Sequence, residues 1–176
     1  RNSEGDYSPA HRSLLEFFVA YKIVASLGAM AEDFMAVAKE QSYLDESSSS
    51  RSHTWDSYFK RDCDSSGIPE AIAPLKQFKS QTADALLLLL GQTKLAKAVL
   101  DLAHLMLDDT AIKNQLLPFL KTTVGRTSSE VGSLCGNIVQ LMLEKTPYAL
   151  TDADLSGVAL RGVDFTEHFL RRTSMR

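Results

Sequence analysis

At 176 residues the chain has room for one good core, or for one core and a small appendage. A net charge of −3, with Lys and Arg scattered except at the tail, excludes the basic field that holds a phosphate backbone, so nucleic acid is not an expected partner. Hydrophobic content of 44% with 23% charged residues excludes global disorder, and the longest apolar run, Ala85 to Leu90, is far too short to cross a bilayer.

The first periodic segment follows Gly5-Asp6, and two start signals compete for it. Ser8-Pro9 offers an N-cap with proline in the first turn, and Ser13-Leu14-Leu15-Glu16 fits a capping box. By either route a helix is under way by Leu15, with Leu15, Phe18, Val19, Tyr21 and Ile23 on a broad apolar face. A second helical stretch is expected from Met30 to Lys39 through Phe34, Val37 and Ala38, with Gly28 kinking or separating the two. From Gln41 to Gly67 the chain turns polar. Ser47 to Ser50 and Arg51-Ser52 cannot bury enough apolar area to offset chain entropy, so a long connector is expected, pinned by Trp55, Tyr58 and Phe59.

Helix is expected again beyond Pro69. Leu95, Ala98, Val99, Leu102 and Met106 keep one face, as do Val131, Leu134, Cys135, Ile138, Leu141 and Met142 further on. Between them Ile112, Leu116, Phe119 and Leu120 mark another helix, which Pro118 should kink or break. Gly91, Asp108-Asp109 and the Gly125 to Ser129 stretch read as short connections. Past Pro147 the period changes: Leu155, Leu160, Phe165, Leu170 and Met175 recur every fifth position, each preceded two residues earlier by Ala153, Val158, Val163, His168 or Thr173. A spacing that suits neither helix nor simple strand predicts a repeat architecture.

Little catalytic chemistry is signalled. No GxxxxGK[ST] stretch supplies a nucleotide-binding loop, and Ser57-Tyr58-Phe59-Lys60 lacks the SDN and KTG partners of the serine acyl enzymes. Asp62-Cys63-Asp64-Ser65-Ser66-Gly67 starts like a calcium loop, but Ala73 stands where the closing glutamate belongs. His53, Asp56, Asp62 and Asp64 match no standard metal spacing, and His11 and His104 have no nucleophile beside them in sequence. Cys63 and Cys135 form no CxxC pair, so a disulfide framework and a structural zinc site are not signalled; a reducing cytoplasm is the expected compartment. No catalytic, cofactor or metal residue is assigned, and the chain is expected not to be an enzyme.

Two segments resemble one family. Tyr7 to Ala20 resembles the F-x-H-x-S-F-x-E-F/Y-F-x-A stretch that follows the winged helix in NACHT-type signalling NTPases of the STAND class. The resemblance implies that His11, Ser13, Glu16, Phe17, Phe18 and Ala20 are structural hallmarks of an interface. Ala153-Asp154-Leu155-Ser156-Gly157 and the two pentads after it resemble pentapeptide repeats, which implies an inward core of Ala153, Leu155, Val158, Leu160, Val163 and Phe165. Gly136-Asn137-Ile138-Val139-Gln140-Leu141-Met142 resembles the helix that precedes such repeats in NACHT proteins.

The expected fold is thus all-α, a helical bundle over residues 1–147 with a polar loop at 41–67, followed by the start of a pentapeptide-repeat β-helix over 148–176. The resemblance implies a bacterial, cytoplasmic, non-catalytic scaffold for signal transduction, coupling a nucleotide switch to a repeat or sensor region. ATP and magnesium would belong to a neighbouring module, and the partners would be other domains of the parent protein or other chains, with no membrane. A free-standing helical and pentapeptide-repeat module for protein–protein interaction is the alternative.

Overall fold

The computed structural model of the chain describes residues 11–35, 53–59, 62–68, 75 and 77–176. Helix α1 (Arg12–Ser26) begins where His11 leaves extended backbone, its carbonyl accepting from the N–H groups of Leu14 and Leu15. No side chain caps it. Glu16, expected in a capping box with Ser13, is drawn instead to the Arg12 guanidinium one turn back, at 2.8 Å; Ser8-Pro9 lies outside the described residues. The second half of α1 is buried, whereas Leu14, Leu15, Phe18 and Val19 stay exposed.

At Gly28 the chain turns through a positive φ of 69°, with the Phe78 to Ser80 backbone pressed so close that a side chain would not fit. The helix expected over Met30 to Lys39 is only a 3-10 turn, Glu32–Met35, within the described residues; Val37 and Ala38 lie outside them. Tertiary pairing has overridden helical propensity here. Met30 bridges Leu107 antiparallel, the Ala31 N–H donates to the Met106 carbonyl at 2.8 Å, and the Asp108 N–H donates to Ala29 at 2.9 Å.

The polar connector expected over 41–67 also needs correction where it is described. Helix α2 (Trp55–Phe59) forms inside it, started by the Ser57 N–H donating to the Thr54 hydroxyl at 3.1 Å. Its Tyr58 is fully buried, edge-on to Phe78 at 6.0 Å. Three aromatics within one short helix repay its ordering, which polar composition alone conceals. The serine run from Ser47 to Ser50 is outside the described residues.

Helix α3 (Ala83–Leu90) is capped by Thr82, whose hydroxyl accepts from Ala85. Helix α4 (Lys97–Met106) packs against α1 and against α7 (Leu134–Lys145), which is buried along most of its length. Between them a π turn, Ile112–Leu116, leads into α5 (Leu117–Lys121), and α6 (Ser128–Val131) is opened by a Thr127–Glu130 capping box. Pro118 does not break the helix. The helical run passes without a break from the π turn into α5, and Pro118 sits at that junction, where the π register already departs from the regular pairing a proline would disrupt.

Three neighbouring positions on α7 tie the structure together. The buried Asn137 amide donates to the carbonyls of Leu90 and Thr93, at 2.7 and 2.8 Å, and its oxygen accepts from the Leu95 N–H at 2.9 Å, so one side chain satisfies the loop between α3 and α4. Gly136 lets the Arg161 backbone lie directly on the helix, and the Gln140 side chain accepts from the Asp164 N–H at 3.0 Å. The tail is thereby fastened to α7.

In that tail φ is positive at Asp152, Gly157, Gly162, Glu167 and Arg172, every fifth residue. The chain returns upon itself, the backbone N–H groups of Asp152, Leu155 and Ser174 donating to the carbonyls of Arg171, Ser174 and Ala153 respectively. Asp154 and Asp164 each accept from the backbone two residues on, at Ser156 and Thr166. Those side-chain and backbone hydrogen bonds hold both carboxyls below the ordinary carboxylate range.

The expected all-α bundle with a β-helix start is not the fold observed. About half of the described residues are helical, in mostly short helices joined by turns and irregular chain, and no named strand forms among them. The tail carries a single isolated bridge, Asp154 to Ser174. Left-handed residues at every fifth position keep turning the chain, which meets itself again only about twenty residues on, so one bridge forms within the tail and no longer ladder.

Candidate functional site

An apolar concavity lies between α1 and α2. Helix α1 supplies Phe17, Phe18, Val19, Tyr21 and Lys22, α2 supplies Trp55 and Phe59, and the groove between them holds about 480 Å3. The two walls are built by helical spacing. Trp55 and Phe59 stand one turn apart with ring centroids 4.8 Å from each other, and Phe17 meets Phe18 edge-on at 5.6 Å and Tyr21 at 6.3 Å. Phe18 is 56% exposed, and Leu14 and Leu15, at 46% and 50%, extend the apolar surface toward the start of α1. Such a contiguous patch is characteristic of an interaction site, whereas single exposed leucines are not.

Few polar side chains line the described part of the groove. The Trp55 Nε1 and the Tyr21 hydroxyl are buried without a hydrogen-bond partner. Burial, and then the neighbouring Tyr58 phenol, pushes the Tyr21 hydroxyl above its ordinary pKa, so it stays protonated. The Lys22 ammonium lies 4.9 Å from the centre of the Trp55 ring. Among the described residues no carboxylate lines the groove.

The residues singled out by sequence are distributed unevenly around this site. Phe17 and Phe18 line it, Ala20 is buried behind it, Glu16 pairs with Arg12, and His11 and Ser13 are exposed at the start of α1. Ala153 and Leu155 are buried in the core, and Val158, Leu160, Val163 and Phe165 pack against it half-buried; none reaches the groove. Trp55, Phe59, Tyr21 and Lys22 were not marked as site residues by their pattern. The available signal was the aromatic pair four residues apart within a polar stretch.

Where they are described, several residues of the candidate chemistry take structural roles. Among the described residues no three His, Cys, Asp or Glu side chains converge as a metal site. Asp64 instead anchors a turn, accepting from the N–H groups of Ser66 and Ile68 at 2.8 and 2.9 Å. The Ser57 hydroxyl donates to the Thr54 carbonyl, and burial pushes the Cys135 thiol up, away from thiolate. Among the described residues no helix is long and apolar enough to cross a membrane.

The geometry defines a helix-and-turn unit with an aromatic groove. In comparisons with known proteins, no protein-family profile and no solved structure matches the chain. It is similar to an uncharacterized WD repeat-containing protein from Nostoc sp., 49% identical over 162 residues. The match takes in 92% of this chain and only 10% of that relative, so the chain spans about a tenth of the length of the protein it matches.

This finding corrects the family resemblance. A match over 92% of this chain to part of a protein named for WD repeats outweighs two short motif likenesses, so the assignment to a NACHT-type STAND NTPase, and to a pentapeptide-repeat module as its alternative, is withdrawn. The nucleotide-coupled scaffold role falls with it. The physical reason is specificity: an H-x-S-x-x-E string and a five-residue spacing each specify local helix or turn geometry, and unrelated proteins need the same geometry. A bacterial source is compatible with the relative.

Proposed function

We propose that the chain is a non-catalytic docking segment of a longer WD repeat-containing protein, presenting the α1–α2 groove to another polypeptide in a reducing, cytoplasmic setting. The observation that carries this reading is the groove itself, an exposed aromatic and aliphatic surface on a well-packed core. A monomer that kept this face in water would forgo the burial of several large side chains, each worth about 1.5–3 kcal/mol when fully covered. The relative's name supports a protein setting of this kind, and the two free cysteines suit a reducing compartment.

Amide hydrogen exchange tests the proposal. The chain is mixed with the remainder of the Nostoc relative, and exchange is read across Arg12–Ser26 and Trp55–Phe59. Slowed exchange in both helices, with α7 unchanged, is the expected result. Identical exchange in all three helices with and without the added protein would remove the support for docking at this face.

A further inference from the structure

We draw no further inference here: the strongest candidate, the exposed surface patch where the Tyr148 and Phe169 rings stack on the tail, is an apolar face and nothing in the structure shows what covers it.

Discussion

Asn137→Leu should destabilise the chain by about 3–4 kcal/mol in urea unfolding, because one substitution strands the buried-side carbonyls of Leu90 and Thr93 and the N–H of Leu95. Leucine is close in volume, so the loss would report hydrogen bonding rather than a cavity. Asn137→Asp discriminates further. It keeps the acceptor for Leu95 but turns a carboxylate oxygen toward two carbonyl oxygens, so it should be at least as damaging near neutral pH. Protonation restores a donor, and the aspartate must then have a raised folded pKa. Its stabilising form is present at low pH and lost as pH rises through that value, so Asn137→Asp should recover part of its stability in mild acid. A loss under about 0.5 kcal/mol for Asn137→Leu would show that this side chain does not hold the α3–α4 loop.

Gly136→Ala should cost about 2 kcal/mol or more, although alanine is favoured over glycine by about 1 kcal/mol in a helix interior. The added methyl would stand inside the van der Waals shell of the Arg161 carbonyl oxygen, and both sides of that contact are backbone, so neither can yield cheaply. Gly125→Ala is the control. Gly125 has φ of 85° with nothing near a would-be Cβ, so its substitution carries only the left-handed backbone cost of about 1–2 kcal/mol. Equilibrium unfolding of the two variants measures the difference. A stabilised Gly136→Ala protein would mean that the tail does not rest on α7 at this point.

What could be read in the sequence follows from where the information lies. Periodicity places Val131, Leu134, Cys135, Ile138, Leu141 and Met142 on one face; the last five are buried because α7 is covered on almost every side, whereas Val131, also buried, ends α6 on the other side of the turn at Gly132. On α4 the expected stripe was rotated: Ala98 is exposed, and Leu100 and Ala103 take the buried places. Apolar residues there are dense enough to fit two neighbouring faces, and only the contacts with α1 and α7 choose between them. The 3-10 turn at Glu32–Met35 was hidden for a similar reason, since its competitor is a bridge to Leu107 far along the chain.

The groove was less legible still. Phe18, Val19 and Tyr21 fall on the apolar face that periodicity marks on α1, whereas Phe17 is singled out only by the resemblance that the match to the WD repeat-containing relative contradicts. Trp55 and Phe59 lie in a stretch whose composition reads as connector, and α2 gains its stability from Tyr58 against Phe78 rather than from its own sequence. At the tail the spacing of five carries left-handed turns at Gly157 and Gly162 but no strand, a distinction that side-chain periodicity cannot make.

The docking claim is tested most directly by Phe18→Asp, read as affinity of the chain for the remainder of the Nostoc relative in analytical ultracentrifugation. Phe18 is largely exposed, so a charge there should leave the unfolding midpoint within about 0.5 kcal/mol of the parent. The account predicts that binding falls by about a hundredfold or more, as expected when a central aromatic anchor becomes a desolvated charge. Undiminished binding by a folded Phe18→Asp chain would contradict it.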